Sequence, residues 1–132
     1  MSYMNRMYTS KNPHQGKFKK VLCVCSAGLL RSPTAALVLS QEPFNFNTRA
    51  AGLTDDFALV AVDEVLLHWA DEIVVMDPFQ KSSVEVKFLV NGLTPKPIVV
   101  LDIEDKYEYR NPELIKLIKE NYVRSTDSGI LE

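Results

Sequence analysis

Two reactive residue types stand close together near the start of the chain, in the stretch VLCVCSAGLLRSPT at residues 21–34. Cys25 ends an apolar run, and Arg31, Ser32 and Pro33 follow after five small or aliphatic residues. A cysteine thiolate is a strong nucleophile, and a guanidinium can hold two phosphoryl oxygens in its planar fork. The pattern therefore suits a loop that binds a tetrahedral dianion beside a nucleophile.

The loop after Cys25 has the composition of an anion cradle. The apolar run predicts a buried parallel strand whose carboxyl end is Cys25, and ligands bind at that edge of open α/β sheets. Backbone N–H groups of a small-residue loop can curl around a dianion while the following helix adds its positive end, and such a cradle also favours a thiolate. Ser32 could stabilise the thiolate when Cys25 is the leaving group of a second, hydrolytic step. The predicted phosphate-binding residues are Ser26, Ala27, Gly28, Leu29, Leu30, Arg31 and Ser32.

The surroundings of Cys25, rather than its distance from Arg31, make a functional loop the favoured interpretation. A cysteine followed six residues later by an arginine is common by chance. Here, however, a strand precedes the interval, Gly28 lies within it, and Ser-Pro follows it. Cys23 stands in mid-strand between apolar neighbours, which is typical of a small core residue.

Hydrolysis of a phosphate monoester also needs an acid, because an alkoxide or phenoxide leaves poorly without a proton. The stretch LDIEDKYEY at residues 101–109 follows the last predicted strand and would hang over the same sheet edge as Cys25. Before Tyr107 it carries the carboxylates Asp102, Glu104 and Asp105. Spacing alone does not choose among them.

Alternating strands and helices are expected to position these groups. Continuous apolar runs predict strands at 20–25, 48–51, 72–76 and 97–101. Helical periods between and after them predict helices at 33–39, 56–69 and 79–90, and a last one that opens at Asn111-Pro112-Glu113. Ser32 and Asp77 are expected to cap the first and third helices. The alternation predicts an α/β fold of three layers, a four-stranded parallel sheet flanked by helices on both faces.

Length and composition indicate one globular domain. The chain has 132 residues, of which 46% are hydrophobic and 24% charged, and its net charge is -2. Residues 1–16 are polar without a clear period and are predicted to be a mobile extension, so that 17–132 form the domain. No basic patch suggests nucleic acid, and no apolar run suggests a membrane or a signal peptide. Two cysteines one residue apart give neither a disulfide nor a metal site, and reduced thiols fit the cytoplasm.

Residues 24–34 resemble the phosphate loop of the low-molecular-weight protein tyrosine phosphatases, in which the cysteine is the nucleophile and the arginine and serine follow it. AAGL at 50–53 is similar to that family's second-strand segment, and ADEIVVMD at 70–77 to its third strand and the turn after it. The resemblance covers most of 20–122. It implies a flavodoxin-like phosphotyrosine phosphatase I fold. It also implies a cysteine-dependent phosphomonoesterase that acts on phosphotyrosine in proteins or on small aryl phosphates through a phosphocysteine, without a metal or organic cofactor.

The resemblance also suggests which carboxylate is the acid. The family carries an Asp-Pro-Tyr motif whose aspartate protonates the leaving group and whose tyrosine lines the entrance. Placing Tyr107 on that tyrosine puts Asp105 on the acid, with Lys106 in place of the proline, while Asp102 stays the rival candidate. Two further departures are Gly28 where the family usually has an asparagine and Leu30 where many members have a second cysteine.

Other functions are compatible with the same loop. A degenerate phosphatase would bind phosphorylated partners without turning them over, and Gly28 and Lys106 keep that alternative open. An arsenate reductase uses a similar loop but passes its oxidation to further cysteines, which the chain lacks beyond Cys25. A cysteine phosphocarrier must not hydrolyse its own intermediate, so Arg31 and a nearby acid argue against it. The sequence specifies no oligomeric state.

Overall fold

The chain folds into a four-stranded parallel sheet between two layers of helices. The computed structural model describes residues 18–25, 31–53, 61–104 and 106–126. The strands are β1 (Lys20–Cys25), β2 (Asn47–Gly52), β3 (Glu72–Val75) and β4 (Ile98–Val100). The helices are α1 (Arg31–Leu39), α2 (Glu64–Trp69), α3 (Pro78–Val90) and α4 (Pro112–Ser125). The predicted α/β fold is therefore confirmed, whereas the proposed extension at 1–16 lies outside the described residues.

The order of the strands creates a ligand-binding crevice at the carboxyl edge of the sheet. The strands lie in the order β2-β1-β3-β4, and each neighbouring pair is parallel. The chain therefore leaves β1 toward one side for β2 and crosses back to the other side for β3. A crevice outside the carboxyl ends of the strands is expected at such a switch point, and Cys25 is the last residue of β1.

Alternation along β1 divides the core into two halves. Val21, Cys23 and Cys25 point to the face that α1 and α4 cover, and Leu22 and Val24 point to the face that α2 and α3 cover. All five of these side chains are buried. A central strand that is covered on both faces must be apolar throughout, which explains the unbroken run that predicted it.

The helices begin and end at the residues that the capping signals indicated, with two exceptions described below. Asp77 accepts a hydrogen bond from the Gln80 backbone N–H at 2.9 Å, and the Gln80 side chain accepts one in return from the Asp77 N–H. Asn111 caps α4 by accepting hydrogen bonds from the Glu113 and Leu114 backbone N–H groups, and Gly92 follows α3 at a φ of +66° that favours glycine. In the described parts of the chain, no helix is long and apolar enough to cross a membrane.

Two predicted helix starts are wrong. α1 begins at Arg31 instead of Pro33, so Ser32 lies inside the first turn and its hydroxyl is used elsewhere than as a cap. The first turn still tolerates Pro33 because N–H groups there have no partner within the helix. α2 begins at Glu64, because the Asp63 carboxylate accepts a hydrogen bond from the Leu66 N–H at 2.9 Å and ends the extended segment before it. Residues 54–60 lie outside the described part of the chain.

The amino edge of the sheet carries a polar cluster of three residues, Lys19, Glu72 and Tyr122, of which Glu72 and Tyr122 are buried. The Tyr122 hydroxyl donates to one Glu72 oxygen at 2.8 Å, and the Lys19 ammonium lies 3.2 Å from the other and 3.1 Å from the hydroxyl. The rings of Phe44 and Phe46 pack against Tyr122 with centroids 5.4 and 5.6 Å away. Burial and the Glu72 charge raise the pKa of Tyr122, so this phenol remains a neutral donor.

Candidate active site

The Cys25 thiol lies against the Ser32 hydroxyl at the carboxyl edge of the sheet. The Sγ–Oγ distance is 3.2 Å, with the thiol donating, and the Ser32 hydroxyl reaches the Ala51 carbonyl at 3.4 Å. Both groups carry a proton and an acceptor site, so the serine can turn its proton toward sulfur once the thiol has lost its own. The start of α1 at Arg31 produces this contact, because it places Ser32 one residue into the helix.

The guanidinium of Arg31 is held at the same edge by the segment after β4. Its Nη1 donates a hydrogen bond to the Ile103 carbonyl at 2.7 Å, and only 4% of the residue's surface is exposed. The Ile103 N–H in turn donates to the Met76 carbonyl at 2.9 Å. A charged donor in a water-poor environment interacts strongly with an anion. Arg31 is thus a positioned cation rather than a solvated surface charge.

The segment that carries the candidate acids is fastened on both sides of position 105. Before this position, the Asn121 amide of α4 donates to the Leu101 carbonyl at 2.8 Å. After it, the Arg110 N–H donates to the Thr34 hydroxyl at 2.9 Å. Because Arg31 and Thr34 are three residues apart on α1, one face of that helix binds both flanks of the segment.

Thr34 and Asn121 are the residues of this arrangement that sequence reasoning missed. Both are buried, Thr34 completely. A polar residue inside a helix that otherwise faces the core is the signal that could have pointed to them, because buried polar side chains need partners. Their partners are backbone groups, which leave no trace in the sequence.

The two aspartates proposed as the acid differ in what the structure records. Asp105 lies outside the described residues. Asp102 is exposed, with a φ of +58° that turns the chain after β4. Lys106 pairs with Glu104 at 3.3 Å on the surface, and this contact raises the pKa of Lys106.

The Tyr107 ring is buried on the α1 and α4 side of the sheet, with 8% of the residue exposed. Its hydroxyl donates to the Glu113 carboxylate at 3.4 Å. The role of Tyr107 as a residue that lines the entrance stays a prediction.

The prediction that Cys23 is a core residue is confirmed by its environment. Its side chain is fully buried in the core two residues before Cys25 and on the same face. Burial, followed by the negative charge of Glu72, raises the pKa of the Cys23 thiol. Cys23 is therefore protonated and inert, as a structural cysteine is.

Residues 26–30 of the predicted phosphate loop lie outside the described part of the structure. What is described brackets them: Cys25 ends β1 on one side, and Arg31 begins α1 on the other. Both ends are fixed at the carboxyl edge of the sheet. Among the described residues, no group of three or more His, Cys, Asp or Glu side chains is arranged to hold a metal ion.

Solved structures share this fold. The chain is similar to Wzb of Vibrio vulnificus, solved in complex with benzylphosphonate, at 18% identity and a TM-score of 0.62, over 83% of this chain and 99% of that one. It is similar to the tyrosine phosphatase Wzb of Escherichia coli K30, solved with phosphate, at 15% identity and a TM-score of 0.59, over 85% and 99%. A low-molecular-weight phosphotyrosine phosphatase from Vibrio cholerae O395 gives 19% identity and 0.53, over 83% and 95%.

These likenesses confirm the predicted flavodoxin-like architecture of the low-molecular-weight phosphatases over most of the chain. Neither a family model nor a curated protein matches the sequence. At 15 to 19% identity the likeness is one of fold. The function must be argued from the site itself.

Proposed function

We propose that the chain is a cysteine-dependent phosphomonoesterase that hydrolyses phosphotyrosine or a similar aryl phosphate. The observation that carries the proposal is the 3.2 Å contact between the Cys25 and Ser32 side chains at the start of a helix whose first residue is Arg31. It joins a nucleophile, a group that can stabilise its anion, and a cation at the edge where α/β folds bind ligands. The fold that the chain shares with solved tyrosine phosphatases supports the same chemistry.

In the first step the Cys25 thiolate attacks phosphorus from the side opposite the ester oxygen. A sulfur–phosphorus bond forms while the bond from phosphorus to the ester oxygen breaks, and the oxygen leaves as a phenol with a proton from Asp105. Arg31 and the N–H groups of residues 26–32 hold the equatorial oxygens and stabilise the charge that develops on them. The products are a phosphocysteine, a phenol and the Asp105 carboxylate.

In the second step water attacks the phosphocysteine. The Asp105 carboxylate takes a proton from the water, an oxygen–phosphorus bond forms, and the sulfur leaves as a thiolate. Ser32 then turns its hydroxyl proton from the Ala51 carbonyl to the sulfur. The hydrogen bond from the Ser32 hydroxyl to the Ala51 carbonyl is long at 3.4 Å, so breaking it costs little free energy.

The proposed partners are phosphorylated proteins or small aryl phosphates. Benzylphosphonate is an aryl-bearing phosphate mimic, and its complex with Vibrio vulnificus Wzb supports an aryl ligand for a site on this fold. Tyr107 is proposed to line the approach of the aromatic ring. The chemistry requires a reduced Cys25, which is in keeping with a cytoplasmic location.

The first experiment measures phosphate release from an aryl phosphate by the wild type and by Cys25→Ser. A serine hydroxyl is a far weaker nucleophile, so we expect no measurable turnover from the variant. Cys23→Ala is the matched control, because it removes a buried thiol from the same face of the same strand, and it should retain its activity per folded molecule. Unchanged turnover by Cys25→Ser would contradict the mechanism. Binding of phosphate without turnover in the wild type would favour the degenerate phosphatase instead.

The second experiment assigns the acid by comparing Asp105→Asn with Asp102→Asn. Loss of the acid should lower the rate by on the order of 10² to 10⁴ for phenols of high pKa and by less for acidic phenols, which leave without help. We expect this dependence on the leaving group in Asp105→Asn. Its appearance in Asp102→Asn alone would assign the acid to Asp102.

A further inference from the structure

The amide of Gln80 is buried at the corner where β3 ends and α3 begins. Its Oε1 atom accepts hydrogen bonds from the Met76 backbone N–H at 2.7 Å and from the Asp77 N–H at 3.2 Å. Both partners are donors, so the atom that faces them must be the amide oxygen. Only 3% of the Gln80 surface is exposed. Besides its part in capping α3, this side chain therefore holds the chain where it leaves β3.

Backbone groups of Met76 and Ile103 extend this contact to the guanidinium of Arg31. Met76 donates its N–H to Gln80 and accepts a hydrogen bond from the Ile103 N–H at 2.9 Å. The Ile103 carbonyl in turn accepts the hydrogen bond from Nη1 of Arg31 at 2.7 Å. Three hydrogen bonds thus connect the Gln80 amide to Arg31, and we term them the Gln80–Arg31 network.

Every residue of the Gln80–Arg31 network is buried. Met76 is completely buried, and Ile103 and Arg31 are each 4% exposed. Water cannot readily replace a partner that is lost at such a depth, so buried donors and acceptors stay with the partners they have. A displacement of Met76 at one end of the network is therefore expected to move Arg31 at the other.

The middle of the network lies where the ladder between β3 and the chain after β4 changes its register. The Leu101 N–H donates to the Val75 carbonyl at 2.9 Å, in line with the pairing of the two strands. The next bond in this direction is that from Ile103 to Met76, so two residues advance on one side and one on the other. Asp102 is the extra residue, with a φ of +58°, as at a β-bulge. The position of Ile103 thus depends on Met76, which Gln80 holds.

We propose that Gln80 is a positioning residue that sets the place of the Arg31 guanidinium through Met76 and Ile103, and thereby the affinity of the site for a phosphoryl group. The effect on affinity rests on the proposed function, whereas the effect on the guanidinium rests on the network alone. The planar fork of Arg31 must meet two oxygens at once, so a small displacement weakens binding.

Nuclear magnetic resonance of the isotope-labelled full chain reports the surroundings of Arg31 without any ligand. The Nε–Hε signal of Arg31 is assigned by its loss in Arg31→Lys. Gln80→Met keeps the length of the side chain but removes the acceptor, so we expect this signal to move. Gln80→Glu keeps an acceptor at the same place and should return the signal toward its wild-type position. A signal that moves as far in Gln80→Glu as in Gln80→Met would overturn the role of the oxygen.

Asp77→Ala is the matched control for Gln80→Met. The Asp77 carboxylate caps the same helix by accepting the Gln80 backbone N–H at 2.9 Å, but it is not part of the Gln80–Arg31 network. Its loss should lower the stability of the fold and leave the Arg31 signal in place. An equal movement in Asp77→Ala would overturn the proposal, because the signal would then follow the start of α3 as a whole.

Titration with inorganic phosphate measures the consequence for binding. The dissociation constant should rise about three- to thirtyfold in Gln80→Met, a range typical of residues that act through others, and stay within about twofold in Asp77→Ala. In Arg31→Lys, which has no fork to misplace, the addition of Gln80→Met should change the affinity by less than about twofold. An unchanged Arg31 signal or an unchanged phosphate affinity in Gln80→Met would overturn the proposal.

The role of Gln80 and the proposed hydrolysis fail in different experiments. A wild type that binds phosphate but releases none from an aryl phosphate would contradict the hydrolysis and leave the role of Gln80 intact. Normal turnover by the wild type, together with an Arg31 signal that does not respond to Gln80→Met, would overturn the role of Gln80 alone.

Discussion

The two ends of β1 both border buried polar groups, but the groups are paired in different ways. At the amino edge, the Lys19 ammonium, the Glu72 carboxylate and the Tyr122 phenol bind one another at 2.8 to 3.2 Å. At the carboxyl edge, the Arg31 guanidinium donates to the Ile103 backbone carbonyl, and the Ser32 hydroxyl lies between the Cys25 thiol and the Ala51 backbone carbonyl. One cluster joins an ammonium to a carboxylate, whereas the hydrogen bond described for the Arg31 guanidinium is to a backbone carbonyl.

Buried polar residues therefore stabilise the fold at the amino edge and are suited to bind a ligand at the carboxyl edge. A self-neutralised cluster satisfies its own donors and acceptors, so it fixes β3 and α4 together without attracting a ligand. A buried guanidinium at the carboxyl end of a strand attracts an incoming dianion and can hold two of its oxygens. The carboxyl edge is therefore suited to bind an anion that the amino edge has no reason to bind. Three substitutions test this comparison.

The largest effect on turnover is expected for Arg31→Lys. The charge remains, but the planar fork that holds two phosphoryl oxygens is lost, so kcat/KM for an aryl phosphate should fall by at least about a hundredfold. Arg49→Lys is the matched control, since Arg49 is partly buried over the Trp69 ring on the other side of the sheet. Arg49→Lys should lower the stability of the fold but leave kcat/KM within about twofold of the wild type. Equal losses in both variants would show that the exchange acts through stability alone.

A smaller effect is expected for Thr34→Val, which removes the acceptor of the Arg110 N–H. Loss of one hydrogen bond of about 1 to 1.5 kcal/mol corresponds to roughly a five- to tenfold lower rate. The loss should be greatest for phenols of high pKa, because the loosened segment carries the proposed acid. Thr34→Ser should restore the rate.

The matched control for Thr34→Val is Thr48→Val, which removes an equally buried hydroxyl that donates to the Ala36 carbonyl of the same helix at 2.7 Å. This variant should unfold more easily without changing how the rate depends on the leaving group. The same dependence in both variants would argue against Thr34 as a residue that positions the segment.

The smallest effect on turnover is expected at the amino edge. Tyr122→Phe removes a hydroxyl that bridges Lys19 and Glu72, so the free energy of unfolding in urea should fall by about 1 to 3 kcal/mol. Turnover per folded molecule should match the wild type, because the cluster lies at the opposite end of β1 from Cys25. A change in KM would mean that the two ends of the strand are coupled.

The sequence was sufficient for the fold because each element carries its own signal. Apolar runs marked β1, β3 and β4, and Asp77 and Asn111 marked helix starts through caps that act over two to three residues. The predicted start of α1 was wrong because serine is a common capping residue, but the Ser32 hydroxyl is hydrogen-bonded to the Cys25 thiol instead. Local signals cannot distinguish these two uses, since the choice depends on a residue seven positions earlier.

The sequence predicted only those parts of the candidate site that are formed by side chains. Cys25, Arg31 and Ser32 were identified by type and spacing, and the structure records Ser32 against Cys25. The supports at Leu101 and Ile103 use backbone carbonyls, so any residue at those positions could provide them. Asp105 and residues 26–30 lie outside the described part of the chain, and their roles stay predictions.

The position of both cysteines on one face of a central strand determines how the protein responds to oxidants. A strand sets residues i and i+2 about 6.6 Å apart, whereas a disulfide needs Cβ atoms about 3.5 to 4.5 Å apart. Because β1 is bonded to β2 and β3 on its two sides, Cys23 cannot move to meet Cys25 without breaking the sheet. A sulfenic acid formed at Cys25 therefore has no internal thiol to resolve it, and recovery from peroxide depends on a thiol supplied by another molecule.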